Sequence, residues 1–74
     1  MKGHLKKLDW LTEAMASFAR AHNLTRREAF LFASRYGGFD FINRHYDVEH
    51  QLSFDDVVDD LDAVTANNGG HLLL

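Results

Sequence analysis

Apolar residues recur every three or four positions along almost the whole chain, the repeat of α-helices with one buried face. Leu8, Leu11, Met15, Phe18 and His22 form one such stripe and predict a first helix from about Leu5 to His22, interrupted by Asn23-Leu24. Thr25-Arg26-Arg27-Glu28 has the form of a capping box. In that motif the Thr25 hydroxyl accepts from the Glu28 amide and the Glu28 carboxylate accepts from the Thr25 amide. A second helix should follow to about Tyr36, with Phe30, Leu31 and either Ala33 or Ser34 turned inward. Gly37-Gly38 closes it, because glycine enters the left-handed backbone region freely. Phe39, Ile42 and Tyr46 give the apolar face of a short third helix, Phe39 to about Tyr46. Asp47 to Leu52 lacks a clear period and reads as a turn or a short extended piece. Ser53 caps a last helix, with Asp55 and Asp56 in its first turn, where the helix dipole favours carboxylates, and Leu52 placed to staple onto Val57. Phe54, Val57, Val58, Leu61 and Val64 form its buried stripe, and Asn67-Asn68-Gly69-Gly70 ends it.

The predicted class is all-α, a small three- to four-helix orthogonal bundle without a substantial sheet. Seventy-four residues make one helical domain, 1–74. The apolar tail over 69–74 is expected to fray, the other reading being a docking peptide. Hydrophobic residues at 46% and charged residues at 26% are ordinary for a globular chain and argue against disorder. Cysteine is absent, so there is no disulfide and no thiolate metal site. The start, Met1-Lys2-Gly3-His4-Leu5, lacks the apolar run of a signal peptide, and no stretch has the length of a membrane span. These features fit a cytoplasmic protein with no membrane partner.

Charge is divided unevenly along the chain. Residues 1–44 hold all eight Lys and Arg against four acids, a net +4. Residues 45–74 hold seven acids and no Lys or Arg, a net −7, and the two sum to −3. Five of those acids, Asp55, Asp56, Asp59, Asp60 and Asp62, lie on the last helix. Asp55, Asp59 and Asp62 share a face, with Asp56 and Asp60 beside them. Like charges at i, i+4 cost about 0.2–0.5 kcal/mol per pair, a cost that solubility alone does not require in so small a domain. The row therefore predicts a binding face for a basic partner; the plainer reading is a solvated face partly neutralised by Arg20, Arg26 or Arg35.

Few residues carry catalytic chemistry. His45-Tyr46-Asp47-Val48-Glu49-His50 approaches the His-x-x-Glu-His zinc pattern but is one residue too long. On a helix His50 would point about 100° away from Glu49. We therefore expect no metal, no cofactor and no catalysis here. Tyr46 is expected to pack as an aromatic, and His50 to tie the segment to a neighbouring backbone group. His22 reads as a helix-terminal histidine favoured by the dipole. Trp10 lies off the main stripe and either covers the core edge or anchors an interface. Gly37-Gly38 is not a phosphate loop, since no Lys-Ser/Thr follows. A helix-turn-helix reading rests on Arg26 and Arg27 with Arg20, Arg35 and Arg44, against a strongly acidic second half and a pI near 5.9.

Three segments taken in order carry a resemblance: Tyr36-Gly37-Gly38-Phe39-Asp40-Phe41-Ile42, then His45 to His50, then Ser53 to Leu61. Over about Leu11 to Val64 the chain resembles a family of small bacterial proteins of unknown function. That family is commonly encoded beside ADP-ribosyltransferase-like genes, an arrangement like a toxin–antitoxin or effector–immunity pair. The resemblance implies a non-catalytic, antitoxin- or immunity-like protein whose partner is a toxin, basic or ADP-ribosyltransferase-like. The residues expected to meet that partner are Asp55, Asp56, Asp59, Asp60 and Asp62 of the last helix, with Trp10, Tyr46 and His50. The alternative function is an acidic DNA mimic that inhibits a nuclease or other DNA-binding protein, and the third is a nucleic-acid-binding regulator. A homodimer is compatible with the sequence.

Overall fold

The computed structural model describes residues 6–72 and contains five helices: α1 (Lys7–His22), α2 (Arg26–Arg35), α3 (Gly38–Arg44), α4 (Tyr46–Glu49) and α5 (Phe54–Asn67). No strand occurs among the described residues. The helices begin and end where local chemistry satisfies their unpaired backbone groups. At α2, Thr25 Oγ1 accepts from the Glu28 amide at 3.1 Å and Glu28 Oε1 accepts from the Thr25 amide at 2.8 Å, completing the capping box. At α5, Ser53 Oγ accepts from the Asp56 amide at 3.1 Å. The ends of α1 and α5 share one device. Asn23 takes a left-handed conformation (φ 56°), and the Leu24 amide reaches back to the Ala19 carbonyl at 2.8 Å. Gly69 (φ 91°) does the same after α5, with the Gly70 amide on the Thr65 carbonyl at 2.8 Å. Both are Schellman closures.

Helix α1 packs on α2, α2 on α3, α3 on α5 and α5 back on α1, so the four longer helices close a ring around one core. That core joins Trp10, Leu11, Ala14, Met15, Phe18 and Ala19 of α1 to Ala29 and Ala33 of α2, Ile42 of α3, and Val57, Val58 and Leu61 of α5. Phe18, Ile42, Leu61 and Val57 are its largest fully buried side chains. Gly38 lets α3 approach α5. A Cβ placed there would lie 2.9 Å from Thr65 Cγ2 and 3.1 Å from Leu61 Cδ2.

Four expectations from the pattern are corrected. Phe30 and Leu31 do not face inward; they are 44% and 54% exposed, while Ala29 and Ala33 are fully buried. Alanines four apart let α2 lie close against its neighbours, and close packing of backbones displaces the larger side chains to the flank. Leu8 begins the α1 stripe but is 73% exposed, because the first turn of α1 flanks an open groove. The segment after Tyr46 is neither a plain turn nor extended: α3 stops at Arg44 and a separate helical turn, α4, occupies Tyr46–Glu49. On α5, Thr65 is buried and Val64 only half-buried, because the Thr65 hydroxyl donates to the Leu61 carbonyl at 2.8 Å and so enters the core satisfied. The tail lies back on the bundle, with Gly70 buried and Leu72 packed against the core; residues 73 and 74 lie outside the described residues.

Candidate functional site

The aspartates of α5 separate into three settings. Val57, Val58, Leu61 and Thr65 fix the buried side of the helix. At about 100° per residue, Asp55, Asp59 and Asp62 then flank it towards α1, and Asp56 and Asp60 flank it on the other side. Asp55, Asp56 and Asp59 are exposed and enter no salt bridge among the described residues. Asp62 is engaged: its Oδ1 accepts from His22 Nε2 at 2.6 Å, joining the end of α5 to the end of α1. Asp60 is half-buried and meets Glu49 of α4.

Between α1 and α5 runs an open groove of about 570 Å³. Asp55, Asp59 and Asp62 line one wall, and Arg20 and His22 the other. Arg20 is held on its own helix by Glu13 Oε2 and Ser17 Oγ, each at 3.1 Å. Neutralisation of the acidic row by Arg20, Arg26 or Arg35 is therefore not what the fold uses. The cation-capable group placed on the row is His22, while Arg35 lies over the Tyr36 ring at 5.8 Å. His22 is more than a helix-terminal residue. Its ring is edge-on to Phe18 at 4.8 Å, which directs the nitrogen across to Asp62.

Of the other residues expected at a partner surface, Trp10 is buried, Tyr46 half-buried and His50 exposed. Trp10 is 4% exposed and belongs to the core, edge-on to Tyr46 at 5.3 Å and stacked with Phe54 at 6.1 Å. Tyr46 is half-buried between Trp10 and His50, with Lys7 Nζ 5.4 Å from its ring centre. His50 stacks on Tyr46 at 4.5 Å, and its Nδ1 donates to the Tyr46 carbonyl at 2.6 Å. His45 ends α3 and packs on Phe41. No three His, Asp or Glu side chains come together as a metal cage among the described residues.

Glu49 reads in the sequence only as part of the His45–His50 cluster; its burial is not foreseen there. It is 4% exposed, and its Oε1 is buried without a hydrogen-bond partner among the described residues. Burial, then a hydrogen bond to Asp60 and the charge of Asp60, push its carboxyl up to about 7. Such a group can hold a proton near neutrality.

A family model described as a protein of unknown function (DUF3791) matches residues 9–68. No curated protein and no solved structure matches the chain significantly.

Proposed function

We propose that this chain, which belongs to the DUF3791 family of proteins of unknown function, is a non-catalytic protein-binding module that takes a basic partner on the α1–α5 groove. The observation that carries this reading is that Asp55 and Asp59 face an open groove with no cation of their own chain bonded to them among the described residues. Uncompensated carboxylates on one wall steer a positively charged surface and are screened by salt. The partner we favour is a toxin encoded beside this chain, ADP-ribosyltransferase-like, with this protein its antitoxin or immunity factor. The gene arrangement rests on the resemblance described above.

The test is titration of the chain against its neighbour-encoded protein at low and high salt, for wild type and for Asp55→Asn/Asp59→Asn. The variant should bind more weakly and with a flatter salt dependence. Equal affinity at both salts would remove the groove from the interface. A partner that duplex DNA displaces competitively would instead identify an acidic DNA mimic, whose aspartates stand in for phosphates.

A further inference from the structure

A second groove opens on the far side of α1. Leu8, Leu11 and Met15 form its floor, with Phe30 of α2 and Phe39 of α3 as a wall. The two phenyl rings meet edge-on at 5.2 Å. The groove holds about 250 Å³. Two large apolar side chains that line it reach solvent: Leu8 is 73% exposed and Phe30 44%. Singly these would be ordinary. Together, on a 74-residue chain, they make a contiguous apolar surface of the kind that marks an interaction site.

Two facts say what chemistry fits. Arg26 lines the groove, one helical turn before Phe30, and Arg27 follows it exposed; neither enters a salt bridge among the described residues. The one charged side chain lining the groove is therefore a cation without an ion-pair partner among the described residues. The acidic wall of the other groove is remote: on α1 the Leu8-Leu11-Met15 face and the Ser17-Arg20-Ala21 face lie about 180° apart at 3.6 residues per turn.

We propose that this groove docks an amphipathic helix of a partner protein, placing two apolar side chains in the groove and carboxylates against Arg26 and Arg27. A volume this small suits side chains presented one turn apart, the helix-in-groove mode, rather than a whole small-molecule ligand. A second copy of this chain is the poorer occupant. In a two-fold contact the same patch meets itself, which would set Arg26 and Arg27 against their own copies. This surface is independent of the α1–α5 groove, so the two readings stand or fall separately.

The test is a display selection from a library of helical sequences against the full chain, keeping clones whose binding is lost on Leu8→Asp. Leu8 is exposed and in the first turn of α1, so the substitution leaves the fold intact. Retained clones should carry two large apolar residues at i, i+4 with acidic flanks. Synthetic peptides of those sequences should bind at least about tenfold more weakly to Leu8→Asp and to Arg26→Glu/Arg27→Glu. They should bind Asp55→Asn/Asp59→Asn as they bind wild type. Basic or uncharged flanks, or an absence of Leu8-dependent clones, would overturn the proposal. So would a concentration-dependent dimer of the free chain that Leu8→Asp dissociates, since the occupant would then be a second copy.

Discussion

Glu49 on α4 meets Asp60 on α5, and burial first, then Asp60, pushes the Glu49 carboxyl up to about 7, so that it holds a proton. The folded chain keeps that proton up to about pH 7, whereas an ordinary glutamate releases it near 4.5. The stabilisation is fully present below about 4.5 and is lost as pH rises to about 7. Glu49→Gln supplies an amide donor to Asp60 at every pH. It should therefore match wild type in acid and exceed it above neutrality, by of order 1–3 kcal/mol. Calorimetric melts of both proteins across this range check it; parallel stability curves would refute the raised Glu49 pKa.

Asp59 and Asp62 should separate, although both lie on the face of α5 that looks towards α1. Asp62 is bonded to His22 and Asp59 is free of salt bridges among the described residues. Asp59→Asn should leave stability unchanged or raise it slightly, by relieving like-charge repulsion. Asp62→Asn should lower it by up to about 1 kcal/mol. Urea unfolding at neutral pH reads both, and His22→Ala combined with Asp62→Asn should cost less than the sum of the two singles.

Ser53→Ala removes the hydroxyl that accepts from the Asp56 amide. A loss of ~1 kcal/mol in chemical denaturation is expected. A loss of similar size is expected for Thr25→Ala at α2. Ser53→Asp, which restores an acceptor at the cap, should recover most of the loss.

Gly38→Ala should destabilise despite alanine's better helix propensity. The added methyl would sit 2.9 Å from Thr65 Cγ2, and the Thr65 hydroxyl is tied to the Leu61 carbonyl, so the side chain is not free to rotate away. Displacing α3 from α5 should cost ~1–3 kcal/mol. Thr65→Ser removes the obstructing methyl, and the double variant should regain part of that loss; no rescue would locate the strain elsewhere.

The helical class, both capped starts and three of the glycine or asparagine ends were legible in the sequence, because each depends on a few neighbouring residues. Thr25 with Glu28, Ser53 with Asp56, and Gly37 (φ 78°) act within one turn. What escaped was set between helices. Phe30 and Leu31 looked like core because they are large, yet Ala29 took their place beside Ala33, which the spacing had offered, once α2 lay close to its neighbours. Glu49 stood out only as a member of the His45–His50 cluster, and no local pattern marked it for burial. Its burial in the fold, and then the approach of Asp60 eleven positions later, raise its pKa. The pairing of His22 with Asp62 likewise spans forty positions, and no local pattern announces it.

The placement of Trp10 gives the molecule a built-in optical probe. It is the protein's only tryptophan, and it sits where α1 meets Tyr46 of α4 and Phe54 of α5. Its indole, 4% exposed, should emit at short wavelength in the folded chain and shift to the red when α4 or α5 separates from α1. It projects from the side of α1 away from Leu8 and Met15, so an occupant of the apolar groove should leave the emission colour nearly unchanged. Ionisation of Glu49, acting through α4, should move it. One fluorophore, with no label added, thus distinguishes loosening of the fold from occupation of its surface.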